Sequence, residues 1–193
     1  MAVGFVELLR RRWQKSSPHI DLSGLSLEEM WDALARDGAP PDYGDPDTDD
    51  LLEWLKERGP DDWHRSACTW NWDFDMGPME WVLEQRECDA GTAITLFGRG
   101  EPSTYSQYAS LDELMAKAPH QIHTARFLKG ICERWANGHY RSYRFKPDAV
   151  WPLEPNCLPW PLPATLAHPG VQGELLDFSE WSEGFPPEAW IWS

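Results

Sequence analysis

The turn at residues 70–77 carries the side chains best suited to bind a small molecule. It reads W-N-W-D-F-D-M-G, so indoles that could stack on a ring or a sugar stand beside carboxylates that could accept its hydrogen bonds. A ligand site here would use Trp70, Asn71, Trp72, Asp73 and Asp75. A structural interpretation explains the same residues, because Asn and Asp form Asx turns, Gly allows positive φ, and indoles fix a turn to a core. We favour the structural interpretation.

Other patterns that could carry chemistry are incomplete. The Asp-x-Asp-x-Asp run at 45–49 is spaced like a calcium loop, but Lys56 stands where that loop needs a bidentate Glu. His120 and His123 could share a helix face, yet no further ligands follow at zinc-site spacing. The sequence has no nucleophile elbow, phosphate-binding loop or dinucleotide fingerprint. We therefore assign no catalytic residue, metal ligand or cofactor, and favour a non-enzymatic protein.

Acidic residues dominate the chain and are unevenly placed. The formal net charge is −15, and neither 37–50 nor 147–193 contains a Lys or Arg. Most bases of the second half lie in 121–146. A surface of this sign repels phosphate backbones, so it argues against nucleic acid and favours a basic protein partner. The expected contact region is the acid run with its aromatic anchor: Asp42, Tyr43, Asp45, Asp47, Asp49 and Asp50.

Apolar spacing and capping residues predict a mainly helical chain. Asp89 and Ser110 precede apolar runs as N-caps. Predicted helices cover 49–58, 61–68, 78–86, 90–98, 110–117 and 120–137, with two more in the first 40 residues. The aromatic-rich segment 139–145 predicts one strand. Prolines exclude helix from much of 147–193, but its tryptophans predict that this tail packs on the body.

The chain shows neither secretion nor membrane signals. Basic residues follow the first apolar run instead of preceding it, and no apolar run approaches membrane-spanning length. Cys68, Cys88 and Cys132 lie in apolar contexts and are predicted to be buried, reduced thiols. We expect a cytoplasmic protein without a membrane partner. The sequence does not indicate an oligomeric state.

One segment resembles a known family. From Cys68 to Phe97 the chain reads C-T-W-N-W-D-F-D-M-G-P-M-E-W-V-L-E-Q-R-E-C-D-A-G-T-A-I-T-L-F. Its turn, its W-V-L helix and its C-D-x-x-T-A helix are similar, in order and spacing, to the small bacterial domain of unknown function 4274. The resemblance extends over about residues 62–147, and it implies a fold without implying an activity.

These observations predict a mainly α (α+β) protein: a compact multi-helix domain with a small β element and a packed Pro/Trp-rich C-terminal extension. We expect an N-terminal helical region at 1–60, a core domain at 61–146 and a C-terminal wrap at 147–193, joined as one structural unit. The expected function is a cytoplasmic interaction protein. By analogy with other small acidic proteins, it would be an immunity or antitoxin protein that neutralises a basic toxin effector. The alternative is a small-ligand-binding protein or an enzyme that uses the turn at Trp70–Asp75 as its pocket.

Overall fold

Helices form most of the protein. The computed structural model describes residues 21, 23, 24, 29, 48–150, 153, 154, 156–170 and 173–187. The two helices predicted in the first 40 residues lie outside these ranges except for Glu29, which is helical. The α-helices are α1 Thr48–Lys56, α2 Pro60–Thr69, α3 Gly77–Glu84, α4 Ala90–Arg99, α5 Leu111–Lys117, α6 Ile122–Ala136 and α7 Ala164–Ala167. Two 3-10 helices, Pro102–Gln107 and Pro119–Gln121, flank α5.

The predicted caps are confirmed. The Asp89 carboxylate accepts a hydrogen bond from the Gly91 backbone N–H and begins α4. The Ser110 hydroxyl accepts one from the Glu113 N–H and begins α5. Each satisfies a donor that the first helical turn leaves without an intrahelical partner. The helix boundaries therefore follow from local sequence at both places.

Helix α4 is the centre of the core. Every residue from Ala90 to Gly98 is buried, and α2 and α6 both contact this helix, while α1 packs on α3. The apolar spacing of α6 predicts an inward face of Ile122, Ala125, Leu128, Ile131, Cys132 and Trp135. All of these are buried except Trp135, which is half-buried. None of the helices in the described ranges is long and apolar enough to cross a membrane.

The predicted strand at 139–145 is not formed. This segment is extended, but it makes only isolated parallel bridges, from Ser142 to Asp89 and from Phe145 to Glu174. The first bridge ends where α4 begins, immediately after Asp89. Beyond the second bridge, the Lys146 carbonyl accepts from His64 Nε2 and the Asp148 N–H donates to the Thr95 hydroxyl, so the backbone groups that would continue the ladder toward the tail are already bonded elsewhere. No small β element is therefore present in the described part of the chain.

The described part of the C-terminal tail packs on the helices. Trp160 and Phe185 are buried in the core, and the Trp135 indole donates to the Thr165 hydroxyl at 2.9 Å. Gly184 has φ +90° and lies so close to Trp70 that a Cβ there would be 2.5 Å from the indole. A glycine is required at this position for both reasons. The tail is thus docked by close contacts, as its tryptophan content predicts.

Candidate functional site

The turn between α2 and α3 contains the Asx bonds that the structural interpretation expects, but Gly77 does not adopt the positive φ that it also expects. The Asn71 carboxamide oxygen accepts from the Asp73 N–H at 3.0 Å, and the Asp75 carboxylate accepts from the Gly77 N–H at 2.8 Å. Both are Asx-type bonds that hold the turn. The Trp70 side chain is buried, and its indole N–H contacts the Met76 sulfur at 3.4 Å. These bonds engage the side chains of Trp70, Asn71 and Asp75 within the turn itself.

Trp72 differs from the rest of the turn. Its indole is half-buried, packs edge to face on Phe127 at 5.8 Å, and lines a surface cleft. A Cβ at Gly100 would come within 2.9 Å of the indole ring and 2.7 Å of the Leu128 side chain. Gly100 therefore permits the close approach of Trp72 to the end of α4.

The cleft beside Trp72 has a volume of about 310 Å³. Its walls come from the turn, the end of α4, the 3-10 helix that follows and the start of α6. The lining residues are Trp72, Arg99, Gly100, Glu101, Thr104, Tyr105, Gln121 and Thr124. Three polar atoms of these residues are buried without a hydrogen-bond partner in the described structure: Trp72 Nε1, Arg99 Nε and Gln121 Oε1. Buried polar groups are nearly always paired, so this concentration at one cleft is unusual.

Two charged side chains flank the cleft. The Arg99 guanidinium is held by the Asp148 carboxylate at 3.0 Å, and both side chains are about one-third exposed. Glu101 is exposed and adopts φ 51°, the left-handed region that non-glycine residues rarely occupy. Sequence reasoning singled out Trp72 but missed Arg99, Glu101 and Gln121, because no motif connects them. Only the fold brings them together.

The predicted partner-binding run is described only at its end. Asp49 and Asp50 lie in the first turn of α1, where acidic residues favour the helix dipole. Asp42, Tyr43, Asp45 and Asp47 lie outside the described residues.

The structure gathers two further acidic segments beside α1. Trp181 of the tail packs on Trp54 of α1 at 5.7 Å, and Phe185 packs on Phe74 of the turn at 6.1 Å. The tail loop at 177–183 therefore lies between α1 and the turn. We call the exposed carboxylates of these three segments the acidic face: Asp49, Glu53, Glu57, Asp73, Asp75, Asp177, Glu180 and Glu183.

Bases next to the acidic face are already engaged. Lys56 pairs with Glu53, Arg65 pairs with Asp62, and the Arg58 guanidinium stacks on the Trp54 ring at 4.6 Å. The face therefore keeps a surplus of negative charge around the half-buried rings of Trp54 and Trp181. Sequence reasoning missed this convergence because it depends on where the tail docks.

His64 and Cys68 form a buried contact under this part of the fold. The imidazole accepts from the Thr92 hydroxyl through Nδ1 at 3.0 Å and donates through Nε2 to the Lys146 carbonyl at 3.2 Å. Burial lowers the pKa of His64, with the charge of Asp89 opposing this shift. Burial also raises the pKa of the Cys68 thiol to about 12. A protonated, enclosed thiol is a poor nucleophile, so this pair serves packing and hydrogen bonding.

The four cysteines are free, and those predicted to be buried are buried: Cys68, Cys88 and Cys132. The side chains of His120 and His123 are exposed. No group of three or more His, Cys, Asp or Glu side chains in the described ranges is arranged to hold a metal ion.

The family comparison covers the motif that begins at the Trp70 turn. Residues 58–136 match the family model described as Domain of unknown function (DUF4274). This match confirms the resemblance read from the sequence between Cys68 and Phe97, and it covers helices α2 to α6. We call residues 58–136 the DUF4274 segment. No curated protein and no solved structure matches the chain.

Proposed function

We propose that this protein is a non-enzymatic interaction protein that binds a basic macromolecular partner through the acidic face. The observation that supports the proposal is the convergence of α1, the turn and the tail loop, three neighbouring segments that each carry exposed carboxylates. The acid run at 42–50 leads directly into α1 and extends the same charge. Such a surface steers a cationic partner during encounter.

The rings within the acidic face supply the second requirement of an interface. Interface energy concentrates in aromatic anchors, whereas rim charges mainly set the association rate and the selectivity. Trp54 and Trp181 form an edge-to-face pair that remains half-buried, so a partner can cover the exposed part of both rings. In its specific form, the proposal is an immunity or antitoxin protein that acts in the cytoplasm and covers the cationic surface of a toxin effector. This last step rests on analogy with other small acidic proteins.

The test begins with affinity capture from the source cell, and mass spectrometry supplies candidate partners. Capture alone does not support the proposal, so association rates of each candidate are then measured at increasing salt. The rate should fall steeply, because the Debye length shortens to about 10 Å at 0.1 M ionic strength. Charge reversal of Asp73 and Glu180 should slow association further and leave the melting temperature nearly unchanged, because both side chains are exposed.

A matched control reverses the same number of charges outside the three segments, at Asp112 and Glu154, which are also exposed. This control should associate almost as fast as the unmodified chain. A second variant with Asp45, Asp47 and Asp49 reversed tests the contribution of the acid run. A partner whose binding ignores salt, or responds equally to both pairs of reversals, would refute the acidic face as the contact surface.

A further inference from the structure

The cleft beside Trp72 contains unpaired polar atoms that have no part in the acidic-face proposal. Its three unpaired atoms comprise two donors, the Trp72 indole N–H and the Arg99 Nε–H, and one acceptor, the Gln121 carboxamide oxygen. Leaving such groups buried and unpaired destabilises a protein, and an unpaired buried group usually signals a missing partner. Three in one cleft indicate a ligand that offers both hydrogen-bond acceptors and a hydrogen-bond donor.

Charge further limits the chemistry of that ligand. The Arg99 guanidinium is paired with Asp148, and Glu101 adds an exposed carboxylate to the wall of the cleft. A purely anionic ligand would be repelled by these two carboxylates and by the negative potential of a chain with a net charge of −15. A molecule with no net charge but with separated charges avoids that repulsion and can still satisfy both donors.

We propose that the cleft binds a small α-amino acid as its zwitterion. The carboxylate oxygens accept from Trp72 Nε1 and Arg99 Nε, and the ammonium group donates to Gln121 Oε1 with Glu101 balancing its charge. The amino acid side chain lies against the rings of Trp72 and Tyr105. The volume of about 310 Å³ is at the lower end of the range of small-molecule sites.

Binding requires a small rearrangement of the cleft. The three polar atoms are out of contact with solvent in this conformation, so the ligand reaches them when the lining side chains rotate. Gln121 can rotate because it is half-buried in a short 3-10 helix. Trp72 is more tightly held, by Phe127 and by the close approach to Gly100. The expected change is therefore local and leaves the helices in place.

The proposal is tested by recording ¹H–¹⁵N spectra of the full chain with each standard amino acid added separately at millimolar concentration. Substitution of Trp72 by Phe assigns its indole signal. At least one amino acid should shift the Trp72 indole and Arg99 Nε–H signals in a saturable manner. The amide of the same amino acid, which lacks the carboxylate, and the decarboxylated amine should each bind at least about tenfold more weakly, since each loses charge-assisted hydrogen bonds.

Variants locate the site and keep the proposal falsifiable. Gln121→Leu and Trp72→Phe should each weaken binding by about tenfold or more, since each removes one of the proposed bonds. Trp135→Phe is the matched control: its indole is also half-buried, but it lies thirteen positions from Ile122 along α6, about 20 Å away. If Trp72→Phe unfolds, Gln121→Leu decides.

Three outcomes would overturn the zwitterion proposal. In the first, no amino acid shifts the Trp72 and Arg99 signals. In the second, the amine or the amide binds as tightly as the parent amino acid. In the third, a crystal structure at high amino acid concentration shows ordered waters alone on the three polar atoms. None of these results bears on the acidic face, because the two sites share no residue.

Discussion

Substitution of Asp89 by Ala should destabilise the protein by more than the loss of a helix cap. The carboxylate is buried and accepts four hydrogen bonds. One comes from the Gly91 N–H at 2.8 Å, within the helix that Asp89 caps. The other three come from the extended segment: the Ser142 hydroxyl at 2.6 Å, the Arg144 N–H at 2.7 Å and the Phe145 N–H at 3.2 Å. Asp89 therefore joins the start of α4 to a segment more than fifty residues away.

The magnitude follows from these four bonds. Removing a capping side chain costs about 1 kcal/mol. The Arg144 and Phe145 N–H groups would then be left without their acceptor in a buried or half-buried setting, at about 1–3 kcal/mol each. The expected loss of unfolding free energy is about 3–7 kcal/mol, which is larger than for a typical exposed cap. The unfolding free energy of Asp89→Asn should lie between those of the unmodified protein and Asp89→Ala. Its carboxamide keeps one acceptor oxygen, but its NH₂ group would face the Arg144 N–H, which needs an acceptor.

Urea unfolding followed by tryptophan fluorescence measures this difference. Ser110→Ala is the matched control, since Ser110 caps α5 through a single bond to the Glu113 N–H. It should cost only about 0.5–2 kcal/mol. Native-state hydrogen exchange should show faster exchange at Arg144 and Phe145 in Asp89→Ala but not in Ser110→Ala. Equal destabilisation by the two substitutions, within about 0.5 kcal/mol, would refute the role of Asp89 as a link between distant segments.

Three further outcomes are expected. Gly91→Ala should destabilise the protein by about 2–3 kcal/mol in the same urea assay, because its Cβ would lie 2.2 Å from the Phe145 carbonyl oxygen, even though Ala is the better helix former. The control Gly130→Ala should be neutral or stabilising, because its Cβ meets only the end of the Arg134 side chain, at 3.1 Å. The lowered pKa of His64 means that the unfolded chain takes up a proton first, so the contribution of His64 to the unfolding free energy should be constant above about pH 6.5 and should fall as the pH decreases toward the folded-state pKa. A His64→Gln variant with an unchanged slope in this window would contradict the assignment. In the native protein a thiol reagent should modify Cys157 first, because it is the half-buried cysteine and the other three are buried; rapid modification of Cys68 would show that the core opens readily.

Local signals in the sequence predicted the helices well. The Asp89 and Ser110 caps fixed the starts of α4 and α5, and the apolar spacing of α6 identified its buried face. The strand prediction at 139–145 was wrong for a physical reason. A high aromatic content indicates that a segment is extended and packed against the core. A strand also needs a neighbouring segment with several consecutive backbone N–H and C=O groups free to pair with it. Asp89 and Glu174 each offer a single bridge.

The candidate sites were less predictable, because both depend on contacts between distant parts of the chain. The acidic face exists because Trp181 packs on Trp54 and Phe185 packs on Phe74, and no pattern in the sequence pairs those rings. The cleft joins Trp72 to Gln121, which are separated by nearly fifty positions. Tryptophan was recognisable as a candidate ligand contact from its type, whereas a lone Gln or Arg carries no such signal.

The DUF4274 segment shares buried contacts with the residues that follow it. Three of the four bonds to Asp89 come from residues after position 136, where the segment ends. The Ser66 hydroxyl donates to the Gly184 carbonyl at 2.7 Å, and the Trp70 ring is covered by the same glycine. Cutting the chain at 136 would leave a buried carboxylate with one of its four donors and would uncover part of the core. We therefore predict that residues 139–146 and the docked tail fold together with the DUF4274 segment, and that the acidic face, which includes the tail loop, requires both.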